Sequence, residues 1–168
     1  RLKQTETTNG WLYFTKGVGS WGTDYELRGM GNLLGPGWNH ATDAVYPLAL
    51  KDVDGDAYDG SKCKYVMHFD KGGLPPVDGF WSLTMYGKDL FCVPNASDRY
   101  NLSQRDTFVT NADGSIDLYI QPEAAGKEKE ANGRPAPRGE FKLCLRVYGP
   151  SKETPSILDG SWAPPPVK

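Results

Sequence analysis

The segment from Lys71 to Asn95, KGGLPPVDGFWSLTMYGKDLFCVPN, constrains the fold more than any other part of the chain. From Gly79 to Tyr86 the side chains alternate, with Phe80, Ser82, Thr84 and Tyr86 on one face and Trp81, Leu83 and Met85 on the other. That is the two-residue period of a strand with one strongly apolar face. Pro75 and Pro76 have no amide proton to give to a sheet ladder, so they deliver the chain to the strand edge, and the strand begins at about Val77 or Gly79. Gly87, Lys88 and Asp89 then interrupt the pattern before Leu90 to Val93 resumes it, which predicts a β-hairpin.

The same period recurs elsewhere. Lys64 to Phe69 sets Tyr65, Met67 and Phe69 against Lys64, Val66 and His68. Ser115 to Gln121 turns Ile116, Leu118 and Ile120 inward, and Phe141 to Tyr148 does so with Phe141, Leu143, Leu145 and Val147. Ala44 to Leu50 and Thr107 to Thr110 read as further strands, and Pro122 to Arg138 as a long polar loop. One helix is expected from about Asp24 to Leu34. Thr23 is its cap, Tyr25, Leu27, Met30, Leu33 and Leu34 form a buried stripe, and Gly35, Pro36 and Gly37 stop it. The 20 Gly and 13 Pro suit a turn-rich β domain, and 168 residues suit one domain. Residues 1–8 read as a polar arm or linker and 9–168 as the domain, its tail from Ser151 to Lys168 running extended and pinned by Trp162.

LPPVDGFWSLTMY, FCVPN, RYNLSQRD, NADGSIDLYIQ, GKEKEANGRPAP, FKLCLRVYGP and LDGSWAPPPVK follow one another in the order of the motifs of the DUF1214 family, which the chain resembles from about Gly10 to Lys168. The resemblance implies a mainly β fold, a jelly-roll-like antiparallel β-sandwich with one short N-terminal helix, and a domain that commonly forms the C-terminal part of DUF1254/DUF1214 proteins. It implies no biochemical role. One departure stands out. Where the family usually reads NWLPAP, this chain has Asn132, Gly133, Arg134, Pro135, Ala136 and Pro137, without the large aromatic.

A net charge of −2 and a pI of 5.7 argue against a nucleic-acid binder, and no apolar run approaches the length of a membrane span. A soluble protein is expected, secreted or periplasmic if a signal peptide preceded Arg1, which is not an initiating Met. Cys63, Cys92 and Cys144 lack zinc-ligand spacing and read as reduced or buried thiols. Asp52, Asp54 and Asp56 lack the Gly and Glu of a calcium loop and read as a turn. No metal or other cofactor is expected.

The densest mixed polar cluster is Arg99, Tyr100, Arg105 and Asp106, suited to the rim of a pocket for an anionic or carbonyl-bearing ligand. Trp11 and Trp21 are candidate stacking platforms in an aromatic N-terminal loop. His68, Asp78, Tyr100 and Asp106 are the catalytic candidates, although no nucleophile elbow, phosphate loop, dinucleotide fingerprint or zinc-protease motif is present. Three functions are open: a binding or assembly domain that packs with its own copies or a DUF1254-like domain, a cofactor-independent hydrolase or cyclase of a small organic molecule, and a carbohydrate-binding module.

Overall fold

The computed structural model describes residues 6–34 and 37–168. Strand β6, Val77–Gly87, lies beside β10, Phe141–Pro150, in antiparallel register from Gly87↔Phe141 to Phe80↔Tyr148, the most extensive pairing in the molecule. Around this pair the large sheet runs β1 (Glu6–Thr8), β2 (Trp11–Tyr13), β4 (Leu48–Ala49), β10, β6 and β7 (Asn101–Ser103), with β3 (Ala44–Val45) also on β10. A smaller sheet sets β5 (Tyr65–Phe69) antiparallel to β8 (Ile116–Gln121), and β8 parallel to β9 (Gly133–Pro135). The fold is therefore mainly β, with two mostly antiparallel sheets.

The alternation read from the sequence decides which residues lie between the sheets. Trp81, Leu83 and Met85 of β6 and Phe141, Leu143, Leu145 and Val147 of β10 are buried, and they meet Tyr65, Met67, Phe69, Leu118 and Ile120 from the smaller sheet. The rings of Phe69 and Trp81 lie 6.2 Å apart and those of Tyr65 and Phe141 5.6 Å apart. Each large apolar side chain so buried contributes about 1.5–3 kcal/mol, which makes this interface the main source of stability. The tail closes the open edge of β5: Lys168 exchanges backbone hydrogen bonds with Val66, Trp162 Nε1 donates to the Gly73 carbonyl, and Trp11 Nε1 donates to the Pro165 carbonyl.

Several local expectations are corrected. Glu6 to Thr8 is no free arm but β1, joined to β2 through Asn9 and Gly10, whose positive φ angles make the tight turn. Helix α1 spans Tyr25–Leu34, and its cap is Asp24 rather than Thr23, because the Asp24 carboxylate accepts from the Leu27 amide at 2.9 Å. Its apolar stripe is only partly covered: Leu27 and Met30 are half-buried, whereas Tyr25 and Leu33 are 71% and 85% exposed. The stop at Gly35 and Pro36 lies outside the described residues.

Ala44 to Leu50 is two short strands, since Pro47 has no amide to continue the ladder. Leu90 to Val93 forms one bridge, Tyr86↔Cys92, and no strand; Leu90 and Phe91 stay exposed at the tip. Thr107 to Thr110 is not a strand either, because the amide and carbonyl of Val109 bond to the buried side chain of Asn132. The segment read as a polar loop contains a 3-10 helix, Lys127–Asn132, followed by β9. Among the described residues no helix is long and apolar enough to cross a membrane.

Candidate functional site

Where β6 leaves the core, the chain passes through a turn at residues 94–99 that faces β9. Asn95 shapes the turn: its side-chain oxygen accepts from the Arg99 amide at 3.0 Å and the Ser97 hydroxyl at 2.8 Å, and its Nδ2 donates to the Arg99 carbonyl at 3.0 Å. Arg99 then reaches across. Its Nη1 donates to the carbonyls of Glu130 (2.9 Å) and Gly133 (3.2 Å), and its Nη2 to that of Ala131 (2.8 Å) and to the Asp106 carboxylate (3.2 Å). These carbonyls lie at or just beyond the C-terminal end of the 3-10 helix, the end that attracts a cation, and that of Glu130 accepts from the Gly133 amide as well. Asn132 anchors the same end by donating to the carbonyls of Val109 and Asp117, and Lys129 sits 4.6 Å from the Tyr119 ring centre.

Between the 94–99 turn and the 121–136 segment lies a cleft of about 550 Å³, with Pro94, Ala125, Pro135 and Ala136 giving it apolar walls and Tyr119 and Arg134 among its lining residues. Arg134 is the unusual member. In the parallel register it stands opposite Ile120, which is buried in the core, and it is itself only 1% exposed. Its Nη1 donates to the Pro135 carbonyl at 2.7 Å, while Nε and Nη2 are buried without a hydrogen-bond partner. Burial, with the like charge of Arg99 as a smaller cause, pushes the guanidinium down to about 10. It remains a cation at neutral pH.

The structure brings the sequence candidates together only in part. Arg99 and Asp106 pair, but Arg99 is committed to holding the cleft walls and the Asp106 carboxylate also accepts from the Ser103 amide. Tyr100 is half-exposed beside Arg99, and its hydrogen bond with Asp98 raises its hydroxyl above the usual value. Arg105 is exposed and stacks over Phe80 at 5.6 Å, and Asp78 is exposed at the start of β6. His68 lies on the outer face of β5, where Nδ1 donates to Asp117 at 2.6 Å and Nε2 lies 3.4 Å from Asp70; the Asp117 hydrogen bond, first among its causes, raises the imidazole. Among the described residues no hydrogen bond or ion pair joins His68, Asp78, Tyr100 and Asp106 to one another as a catalytic group would require.

Trp11 is corrected outright: it is fully buried, with its indole nitrogen used by Pro165, so its ring offers no open stacking surface. Trp21 is half-buried. It meets Trp38 edge-on at 6.4 Å, lies against Gly31, and lines an open hollow of about 450 Å³ with Tyr25 and Arg28. The sequence reading missed Arg134. The altered motif at Gly133 and Arg134 was its signal, but a segment taken for loop gives no inward or outward face to a side chain.

A mainly β domain of two packed sheets is the class of protein these features define. The chain belongs to the DUF1214 family, a protein family of unknown function, whose model matches residues 43–152. It is also similar to the VPA0106 protein from Vibrio parahaemolyticus, known from a crystal structure, with 30% identity and a TM-score of 0.70. That match covers 85% of this chain and 34% of the other, so this chain spans about a third of that protein's length. No curated protein matches the chain.

Proposed function

We propose that this domain is a non-catalytic binding module that holds a small organic molecule in the cleft between the 94–99 turn and the 121–136 segment. The observation that supports it is the way Arg99 spans the cleft, donating to the carbonyls of Glu130, Ala131 and Gly133 from the opposite wall. A cleft whose walls are tied by a side chain needs little reordering when a ligand arrives, which favours binding. Apolar walls at Pro94, Ala125, Pro135 and Ala136 provide burial for the ligand's body.

Ligand-observed NMR with a fragment library tests this reading. Fragments that bind the wild type are expected to be lost in Ala125→Trp, which fills the cleft, and weakened in Arg99→Met, which unties its walls. Equal binding to the wild type and to a folded Ala125→Trp protein would place the ligand elsewhere and end the proposal.

An assembly role, with further copies or a DUF1254-like domain, is the second reading. It is favoured by the outer face of the large sheet, where Phe80 stacks on Tyr148 at 4.6 Å, Tyr148 meets Tyr46 edge-on, and Leu48 and Leu50 remain exposed. Analytical ultracentrifugation checks it: a monomer at high concentration would remove self-assembly.

A further inference from the structure

We infer that the molecule held in this cleft carries a carboxylate, and that the carboxylate seats on the free Nε and Nη2 edge of Arg134. The inference rests on the cleft being a binding site, as proposed above. Its independent basis is the unmatched cation at the inner side of that cleft.

A guanidinium has five N–H donors in one plane, and the Nε–H and the adjacent Nη2–H point the same way from one edge. Two parallel donors match the two oxygens of a carboxylate. In Arg134 this edge is the one without partners, whereas Nη1 is used by the Pro135 carbonyl. No ion pair with an acidic side chain is formed by Arg134 among the described residues. The ionisable groups that act on it are Cys92, Tyr100 and the like-charged Arg99. Arg99 in turn is matched by Asp106. Arg134 is therefore a cation without a matched ion pair, in a cleft whose lining also holds Asp98, Glu130 and Glu123, the last paired with Lys64 and Arg138.

Burying a cation without a counter-ion opposes folding, and the apolar neighbours of this position, Ile120 above all, would accept a hydrocarbon side chain without that penalty. The arrangement makes sense where an anion arrives from outside. A carboxylate fits better than a phosphate, because the nearby Arg99 donors are already bonded to carbonyls and a third oxygen would enter the protein without a donor. The apolar walls set the rest of the molecule: a compact aromatic or alicyclic acid. Both free nitrogens are shielded from bulk water and Arg134 lines the cleft, so an acid seated there meets them away from solvent. The pair then forms in a region of low dielectric, which strengthens it.

The experiment compares benzoate and cyclohexanecarboxylate with benzamide and cyclohexanecarboxamide by calorimetric titration of the wild type, Arg134→Met, Arg134→Lys and Ala125→Trp. The acids are expected to bind the wild type at least tenfold more tightly than the amides. Arg134→Met should lose the preference, and Arg134→Lys, which keeps the charge but not the fork, should retain only part of it. As a readout that needs no variant, benzoate should shift the Arg134 Nε–H resonance downfield and slow its exchange with water. Acids and amides binding alike, with Arg134 indifferent, would overturn the carboxylate while leaving the cleft standing. A preference lost in Arg134→Met yet intact in Ala125→Trp would keep the carboxylate and overturn the cleft. No binding by any of the four compounds, with an unperturbed Nε–H, would overturn the inference for this ligand class and leave ordered water as the partner of the guanidinium.

Discussion

Arg134→Met removes a buried charge and keeps a long, unbranched side chain, so its effect on stability measures directly whether the guanidinium lacks partners. Burial lowers the Arg134 guanidinium well below its ordinary range, to about 10. A tenfold change in a proton equilibrium is worth about 1.4 kcal/mol, so this corresponds to about 3 kcal/mol against the folded state at neutral pH. The substitution also loses the hydrogen bond from Nη1 to the Pro135 carbonyl, worth about 1–2 kcal/mol. The net expectation is a gain of about 1–2 kcal/mol, or a melting temperature higher by about 3–6 °C in a domain of this size.

The pH dependence has a definite sign. Because the folded value lies below the ordinary one, the handicap of the wild type is fully present below about pH 10 and fades as pH rises toward the ordinary guanidinium value. Urea denaturation of both proteins at pH 7, and melting curves from pH 6 to 11, check the two halves. The advantage of Arg134→Met should be constant up to pH 9 and shrink above 10. A variant less stable than the wild type by 1 kcal/mol or more at pH 7 would refute the reasoning, since Nε and Nη2 would then have partners that outweigh the cost of burial.

Two further expectations concern parts of the fold remote from the cleft. His68 is raised by its hydrogen bond with Asp117, so what it contributes is present below its ordinary value near 6.5 and lost as pH rises through the folded value. With the imidazole half-exposed, solvent screening limits this to about 0.5 kcal/mol, so His68→Gln should be less stable than wild type at pH 5 and equal to it at pH 9, and a difference independent of pH would contradict the pairing. Trp11→Phe keeps an aromatic ring in the core but leaves the Pro165 carbonyl without its donor, at a cost of about 1–3 kcal/mol. Hydrogen exchange of the Lys168 amide, bonded to Val66, should quicken, and unchanged exchange would show that Trp11 does not hold the tail.

The parts of the fold legible in the sequence are those where a period of two runs for five residues or more. In β5, β6, β8 and β10 the inward faces are as the alternation requires: Met67, Leu83, Leu118 and Leu145 are all fully buried. Other parts escaped for physical reasons. β7 and β9 are three residues long, too short to display a period. The backbone of Val109 is satisfied by Asn132, 23 residues away, so the strand-like composition of Thr107 to Thr110 has no ladder to join. For α1 the spacing was right and the burial was not, because a helical stripe shows which residues share a face and not whether another element covers it.

The cleft was half legible for a related reason. The polar cluster at Arg99, Tyr100 and Asp106 was visible as composition, but its role depends on Arg99 meeting carbonyls more than 30 residues onward, a closure that no local pattern encodes. Arg134 depends on still more. Only because β9 runs parallel to β8, with Gly133 opposite Tyr119 and Pro135 opposite Gln121, does the residue between them turn inward alongside Ile120. Local chemistry alone would leave an arginine in a Gly-Arg-Pro segment exposed; the register places it in the core. Where local preference and global structure conflict in this way, folding alone gives no reason for the residue, and function becomes the better explanation of it.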